Sequence, residues 1–177
     1  LAQEIAYLEG QLENIEKCDT LYELYEIKDE LIREKYLRPE KARSPKPGNK
    51  SSAPMRFLSS DGIPILIGKN NRQNDALTLQ TARSENYWLH AKNIPGSHVI
   101  LDFEGEPPER TLQEAAQLAA YFSQARSSSG VPVDYTPRKF VTKPSGARPG
   151  MVVYSTNRTL YVTPDPALIQ KLKERSE

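Results

Sequence analysis

The chain has 177 residues, of which 37% are hydrophobic and 27% charged, a composition typical of one globular domain with an appendage. Its net charge of +1 hides an asymmetry, since residues 1–40 hold 5 Lys/Arg against 11 Asp/Glu and the remainder holds 19 against 12. An acidic arm joined to a basic body predicts an anionic partner for the body. One cysteine and two histidines exclude an internal disulfide and the usual Cys/His zinc cluster, so we expect no metal and no cofactor.

Two amphipathic helices are predicted in the arm, residues 1–37. The first carries an apolar stripe made of Ile5, Leu8, Leu12 and Ile15. Because these positions recur at spacings of three and four, we expect another surface to cover the stripe. Thr20 and Glu23 form a capping-box pattern that starts the second helix. Both a helical hairpin, as the stub of a coiled coil, and an amphipathic helix packed on the body fit this pattern. Such a hairpin can also pair with another copy of the chain.

The start of the chain and the segment that follows the arm suggest its organisation. The chain begins at Leu1, inside a helical pattern, so we expect a fragment of a longer protein. No run of about 18 apolar residues is present, and we expect no membrane insertion. Residues 38–54 are rich in Pro, Gly, Ser and Lys and predict a linker before the body, residues 55–177. The linker cations, which we expect to be solvated, are Lys41, Arg43, Lys46 and Lys50.

The body is predicted to mix strands and helices without regular alternation, which favours an α+β sheet domain over a doubly wound one. The expected strands are 56–59, 63–67, the segment from Trp88, 98–101, 131–135, 139–142, 151–154 and 159–162. We expect Asp61-Gly62 to close the first hairpin, and the last two strands to pair across Thr156-Asn157.

Three helices are expected in the body. Asn70 or Asn74 can cap a short first helix. A Thr111/Glu114 capping box predicts the start of the longest, and Asp165-Pro166 the start of the last. The longest helix carries small residues that we expect to pack against the sheet, namely Ala115, Ala116, Ala119 and Ala120.

The segment 88–99 is the most informative, because it holds the only tryptophan and both histidines of the chain. Its alternation places Trp88 and His90 on one face of a strand that enters a Pro-Gly turn. Trp88 can stack on an exposed base, but a single tryptophan in a small domain is usually buried, and we favour the core. The side chains of His90, Ser97 and His98 can bind phosphate or ribose, or can serve the structure alone.

Two further segments are candidate anion sites. Lys69, Asn70 and Arg72 lie between a predicted strand and a helix start, where backbone N–H groups and positive charge can converge on an anion. The asparagine can instead simply close the turn. The segment 138–158 contains no acidic residue and five cations: Arg138, Lys139, Lys143, Arg148 and Arg158. Their lack of a counterion favours phosphate contacts, to which Tyr135 or Tyr154 can add stacking, although a solvated loop also fits.

Catalytic motifs are missing from the chain. It contains no Gly-x-Ser-x-Gly elbow, no Walker loop and no His-Glu-x-x-His sequence. We therefore expect a binding protein without catalytic residues rather than an enzyme.

Three separated segments, 88–99, 68–75 and 115–126, resemble the NFACT-R domain, and the first forty residues resemble the end of the coiled-coil middle region that precedes it in NFACT proteins. The resemblance implies the RNA-binding C-terminal module of a cytoplasmic ribosome quality-control protein. Such proteins act on tRNA and the large ribosomal subunit in rescue of stalled ribosomes and alanine tailing. The predicted RNA-binding residues are Lys69, Asn70, Arg72, His90, Ser97, His98, Arg138, Lys139, Lys143 and Arg148.

The same resemblance carries an alternative. The NFACT family also includes fibronectin-binding proteins of streptococci and staphylococci. As the alternative, it implies a surface adhesin and virulence factor of a Gram-positive, streptococcal-type bacterium that binds host fibronectin. No export signal for such a role is recognisable in this fragment.

Overall fold

The chain folds as a helical hairpin attached to an antiparallel sheet, and its computed structural model describes residues 1–39 and 52–176. The arm consists of α1 (Ala2–Glu16) and α2 (Leu21–Arg33). The strands are β1 (Met55–Leu58), β2 (Pro64–Ile67), β3 (Tyr87–Ala91), β4 (Val99–Leu101), β5 (Val131–Pro137), β6 (Val141–Thr142), β7 (Val153–Tyr154) and β8 (Arg158–Val162). The body helices are α3 (Asn71–Ala76), α4 (Glu109–Tyr121) and α5 (Pro166–Ser176), with a π-helical turn at Leu77–Thr81 and a 3-10 turn at Arg138–Phe140. Residues 40–51, which include most of the predicted linker and the four cations named in it above, lie outside the described residues.

Six strands form one antiparallel sheet in the order β1-β2-β4-β3-β5-β8, while β6 and β7 pair separately. Helices α4 and α5 cover one face, where Leu89, Leu118 and Val133 belong to the main core. A smaller core on the opposite face joins Trp88 and Ile100 to residues of the π-helical turn and of β6. The α+β class predicted from the sequence is confirmed.

Local signals placed several elements correctly. Thr20 caps α2 by accepting a hydrogen bond from the backbone N–H of Glu23 at 3.2 Å. Asn70 caps α3 in the same way, and Gly62, at φ +76°, closes the β1–β2 hairpin. Asp165 accepts from the N–H of Ala167 at the start of α5. The four alanines of α4 are fully buried, as expected for a helix that lies close to a sheet.

The capping box predicted at Thr111 is wrong. Helix α4 begins three residues earlier, after Pro108, and has no side-chain cap. The Thr111 hydroxyl instead donates to the Asp61 carboxylate at 2.7 Å and shares a hydrogen bond with the Ser59 hydroxyl at 2.8 Å, both in the first hairpin. Glu114 accepts from the N–H of Ser60 at 2.7 Å. Both polar side chains therefore attach the helix to the β1–β2 turn.

The hairpin predicted between 151–154 and 159–162 is also wrong. Strand β7 pairs with β6, whereas β8 pairs with β5 at the edge of the large sheet. The two segments belong to opposite faces, since Tyr154 packs with Trp88 and Val162 packs in the main core. Hydrophobic alternation predicts that a segment is a strand, but it does not predict which layer the strand joins.

The apolar stripe of α1 is not covered within the described chain, contrary to the sequence prediction. Ile5, Leu8, Leu12 and Ile15 remain 38% to 62% exposed. The buried side of α1 is instead largely polar and includes Tyr7, Gln11 and Asn14. Tyr7 and Gln11 both donate to Glu30 of α2, at 2.9 and 2.6 Å, which joins the two helices as a hairpin.

Candidate nucleic-acid interface

Carboxylates of the arm neutralise part of the charge of the body. Glu23 binds Lys69 at 2.5 Å. Glu13 binds Arg126 at 3.3 Å. The separation of charge along the sequence therefore reflects, in part, a contact within the chain rather than a free basic surface. The sequence argument, which predicted an anionic partner from this asymmetry, did not include these pairs within the chain.

Arg148 lies inside this arm–body contact. Its guanidinium is centred 5.0 Å from the Tyr7 ring and 5.2 Å from the Tyr36 ring, distances typical of cation–π contacts. The carboxylates of Glu4 and Glu34 lie 3.9 and 3.8 Å away. Arg148 thus fastens the 143–150 loop to both helices of the arm.

Lys143 and His98 hold the same loop against α3. The Lys143 ammonium donates to Asp75 at 2.5 Å and to the Arg148 carbonyl at 2.9 Å. Asp75 also accepts from the N–H of Gly150 at 3.0 Å. His98 accepts from the Thr78 hydroxyl through Nδ1 and donates to the Gly150 carbonyl through Nε2, at 2.8 and 3.1 Å. Both side chains therefore have structural partners within the chain.

Burial keeps the histidines neutral. It lowers the pKa of His98 to about 3 and also lowers the pKa of His90. The His90 ring stacks on Trp88, which is buried in the core as predicted. Ser97 is buried and accepts from the Lys17 ammonium at 3.0 Å. A neutral, buried imidazole brings no positive charge to a phosphate at neutral pH.

The remaining predicted residues divide into anchored and exposed groups. Asn70 is a helix cap, and the Arg138 guanidinium donates to the carbonyls of Thr78 and Leu79 at 2.7 and 3.2 Å. Arg72 is exposed and forms no ion pair within residues 1–39 and 52–176. Lys139 is also exposed and binds Glu85 at 3.0 Å.

The segment 138–158 has acidic partners after all, because the fold brings them from elsewhere in the chain. Besides Asp75, Glu4 and Glu34, these include Glu85 beside Lys139 and Glu106 beside Arg158, at 3.4 Å. The two pairs made by Lys139 and Arg158 are 45% to 72% exposed. Such exposed pairs contribute about 0–1 kcal/mol, so a phosphate can replace the carboxylate at little cost.

An aromatic pocket lies at the end of the sheet where β3 begins and β5 ends; Arg158 lines it, and Lys139 precedes its lining residue Phe140 in the chain. Its volume is about 230 Å³, and its lining includes Tyr87, Tyr135, Phe140, Thr156, Asn157 and Arg158. We call it the sheet-end pocket. Aromatic rings can stack on a base, and the amide and hydroxyl groups can hydrogen-bond to its edges. The arrangement is suited to binding an unpaired nucleotide.

Sequence reasoning missed most of this pocket. It named Tyr135 as a stacking residue but not Tyr87 or Phe140, although Tyr87 and Tyr135 come together at 6.2 Å on neighbouring strands. The other stacking candidate, Tyr154, lies in the smaller core beside Trp88 and donates to Asp134 at 2.6 Å. The pairing register of β3 with β5 was the information that the sequence lacked.

Neither a metal centre nor a membrane span is found among the described residues. No three His, Cys, Asp or Glu side chains there are grouped to hold a metal ion. No helix in those ranges is long and apolar enough to cross a membrane.

Comparisons with known proteins agree on one family. Residues 54–155 match the NFACT protein RNA binding domain. The chain is 43% identical over 97% of its length to the Rqc2 homolog RqcH of Bacillus subtilis (strain 168), and 43% identical over 96% to that of Streptococcus suis (strain 05ZYH33). It spans 30% of the length of each of these relatives. A solved structure of the C-terminal of the fibronectin/fibrinogen-binding protein from Streptococcus suis superposes with a TM-score of 0.88 at 40% identity, over 99% of this chain and 68% of that one.

Proposed function

The chain belongs to the NFACT family, and from its RNA-binding domain we propose that it is the RNA-contacting C-terminal module of a ribosome quality-control protein. In this proposal it works in the cytoplasm, on tRNA and the large ribosomal subunit, during rescue of stalled ribosomes and alanine tailing. The observation that carries the proposal is the match of residues 54–155 to the RNA-binding domain.

The sheet-end pocket supports this function. A base stacked between Tyr87 and Phe140 would place its flanking phosphates near Lys139 and Arg158. There they would replace Glu85 and Glu106 as the partners of the two cations. We propose that the chain only binds RNA and contributes no catalytic group. The neutral, buried state of His98 supports this view.

The test is a titration of the purified chain with tRNA and with fibronectin at two salt concentrations. We expect tight, steeply salt-dependent binding of tRNA. In the double variant Lys139→Glu/Arg158→Glu the affinity should fall and the salt slope should decrease by about 0.7–0.9 for each lost phosphate contact. Arg33→Glu/Lys171→Glu, at exposed positions of α2 and α5, makes the same change in net charge and is the control for charge alone.

Two outcomes would contradict the proposal. One is the absence of tRNA binding. The other is saturable, salt-tolerant binding of fibronectin alone, which would favour the adhesin alternative that the name of the solved Streptococcus suis relative suggests. The mass of the free chain, measured by light scattering, shows whether the exposed stripe of α1 also causes self-association.

A further inference from the structure

A second concave surface lies at the opposite end of the sheet from the sheet-end pocket. It has a volume of about 410 Å³ and lies between the end of α1, strand β1, the end of α4 and helix α5. None of the ten residues predicted to bind RNA lines it. We call it the arm cleft.

Four cations from four separate segments converge on the arm cleft: Lys17, Arg56, Arg126 and Lys173. Two carboxylates, those of Glu16 and Asp19, also line it, and both residues are exposed. The cations therefore outnumber the acidic residues of the lining by two to one. A concave surface with such an excess attracts anions, because its low-dielectric walls focus the positive potential.

The cations of the arm cleft are only partly neutralised within the described chain. Arg56 and Lys173 are exposed, and neither forms an ion pair in residues 1–39 and 52–176. The half-buried Lys17 ammonium donates to the neutral hydroxyl of Ser97. Burial lowers the pKa of Lys17 to about 8. The nearby carboxylate of Glu13 raises this pKa, and the positive charge of Arg126 lowers it.

Aromatic side chains lie beside these cations. Phe57 and Phe122 are buried in the main core, whereas Tyr121 is half-buried and lines the cleft. The Tyr121 and Phe122 rings meet edge to face at 5.1 Å, which fixes the orientation of Tyr121. Proteins that bind single-stranded nucleic acids combine cations with an aromatic ring. The cations bind the phosphates, and the bases stack on the ring.

We propose that the arm cleft binds the backbone of a single RNA strand, with a phosphate between Arg56 and Lys173 and a neighbouring base stacked on Tyr121. The inference rests on the proposed function and extends it to a second surface of the molecule. A free phosphate offers no group for the ring of Tyr121, which is why the observations favour an RNA strand over a small anion. With contacts at both ends of the sheet, the module would follow an extended RNA rather than grip a single nucleotide.

The test uses a fluorescein-labelled oligouridylate titrated into the full chain. In Arg56→Glu/Lys173→Glu the affinity at low salt should fall at least about tenfold, and the salt slope should decrease by about 0.7 for the one lost phosphate contact to a single strand. The matched control Arg33→Glu/Lys171→Glu makes the same change in net charge at exposed positions outside both concave surfaces. It should bind the oligonucleotide as the wild type does. Tyr121→Leu should lose at least about fivefold in affinity with little change in the salt slope.

The outcomes separate this inference from the proposed function. If Lys139→Glu/Arg158→Glu abolishes binding while Arg56→Glu/Lys173→Glu binds like the wild type, the arm cleft is not an RNA site but the proposed function stands. If the wild-type chain binds no RNA, both are overturned. A third outcome concerns proteins that keep both Arg56 and Lys173. If inorganic phosphate displaces the oligonucleotide from these proteins alone, and binds to them as tightly as the oligonucleotide does, the cleft is a small-anion site and the RNA assignment is wrong.

Discussion

Lys143 and Lys139 lie four positions apart, and the structure predicts opposite consequences when each is replaced by methionine. Methionine keeps an apolar stem and removes the charge. The Lys143 ammonium binds both Asp75 and a backbone carbonyl, and the two side chains of the ion pair are only 25% and 21% exposed. Lys139 and Glu85 are about half exposed.

The expected magnitudes follow from this difference in exposure. Exposed ion pairs contribute about 0–1 kcal/mol, and breaking a buried one costs about 3–5 kcal/mol. The pair of Lys143 with Asp75 lies between these limits, so we expect Lys143→Met to lower the free energy of unfolding by about 2 kcal/mol. In a chain of this size that corresponds to a fall in Tm of about 4–8 °C. Lys139→Met should change the free energy of unfolding by less than about 0.5 kcal/mol.

Urea unfolding and oligouridylate titration of both variants provide the assay. We expect Lys143→Met to lose stability while it retains its RNA affinity under conditions where it is folded. Lys139→Met should keep its stability and bind RNA more weakly. A double-mutant cycle with Asp75→Asn measures the coupling directly. If Lys143→Met is as stable as the wild type and binds RNA at least about tenfold more weakly, Lys143 is an RNA contact and the structural assignment is refuted.

Two further predictions concern the loop that Lys143 holds in place. Because the pKa of His98 is about 3 in the folded state against 6.5 unfolded, the unfolded chain takes up a proton first, and the free energy of unfolding should fall by up to about 1.4 kcal/mol for each pH unit below 6.5. Urea unfolding between pH 7 and 4 should show a shallower fall for His98→Gln, and an unchanged fall would contradict the assignment. Gly150→Ala should lower the free energy of unfolding by about 2–3 kcal/mol, since its φ is +80° and a Cβ would lie 2.7 Å from the Asn71 amide oxygen. Gly146→Ala, at φ +74° in open space, should cost only about 1 kcal/mol, and equal losses for the two variants would show that the contact with Asn71 is unimportant.

The sequence predicted well where neighbouring residues determine the structure. Asp61-Gly62, the Thr20 cap and the Asn70 cap act within about four residues, and each marks the element it was expected to mark. Trp88 was correctly placed in the core because its size and the alternation of its strand both favour burial. The prediction failed at Thr111, where the same local pattern was present but a partner fifty residues away took the hydroxyl.

The candidate sites show the same division. The chain by itself established the family, the α+β class and an arm and body of opposite charge, because composition, short motifs and periodicity are properties of the chain. Only the tertiary structure decided which cations are available to a ligand. An ion pair depends on a separation of a few ångströms, and the partners of Lys143 and Arg148 come from segments some seventy to over a hundred residues distant. The same folding that paired those cations brought Lys17, Arg56, Arg126 and Lys173 together around one cleft, a convergence that no stretch of the sequence contains.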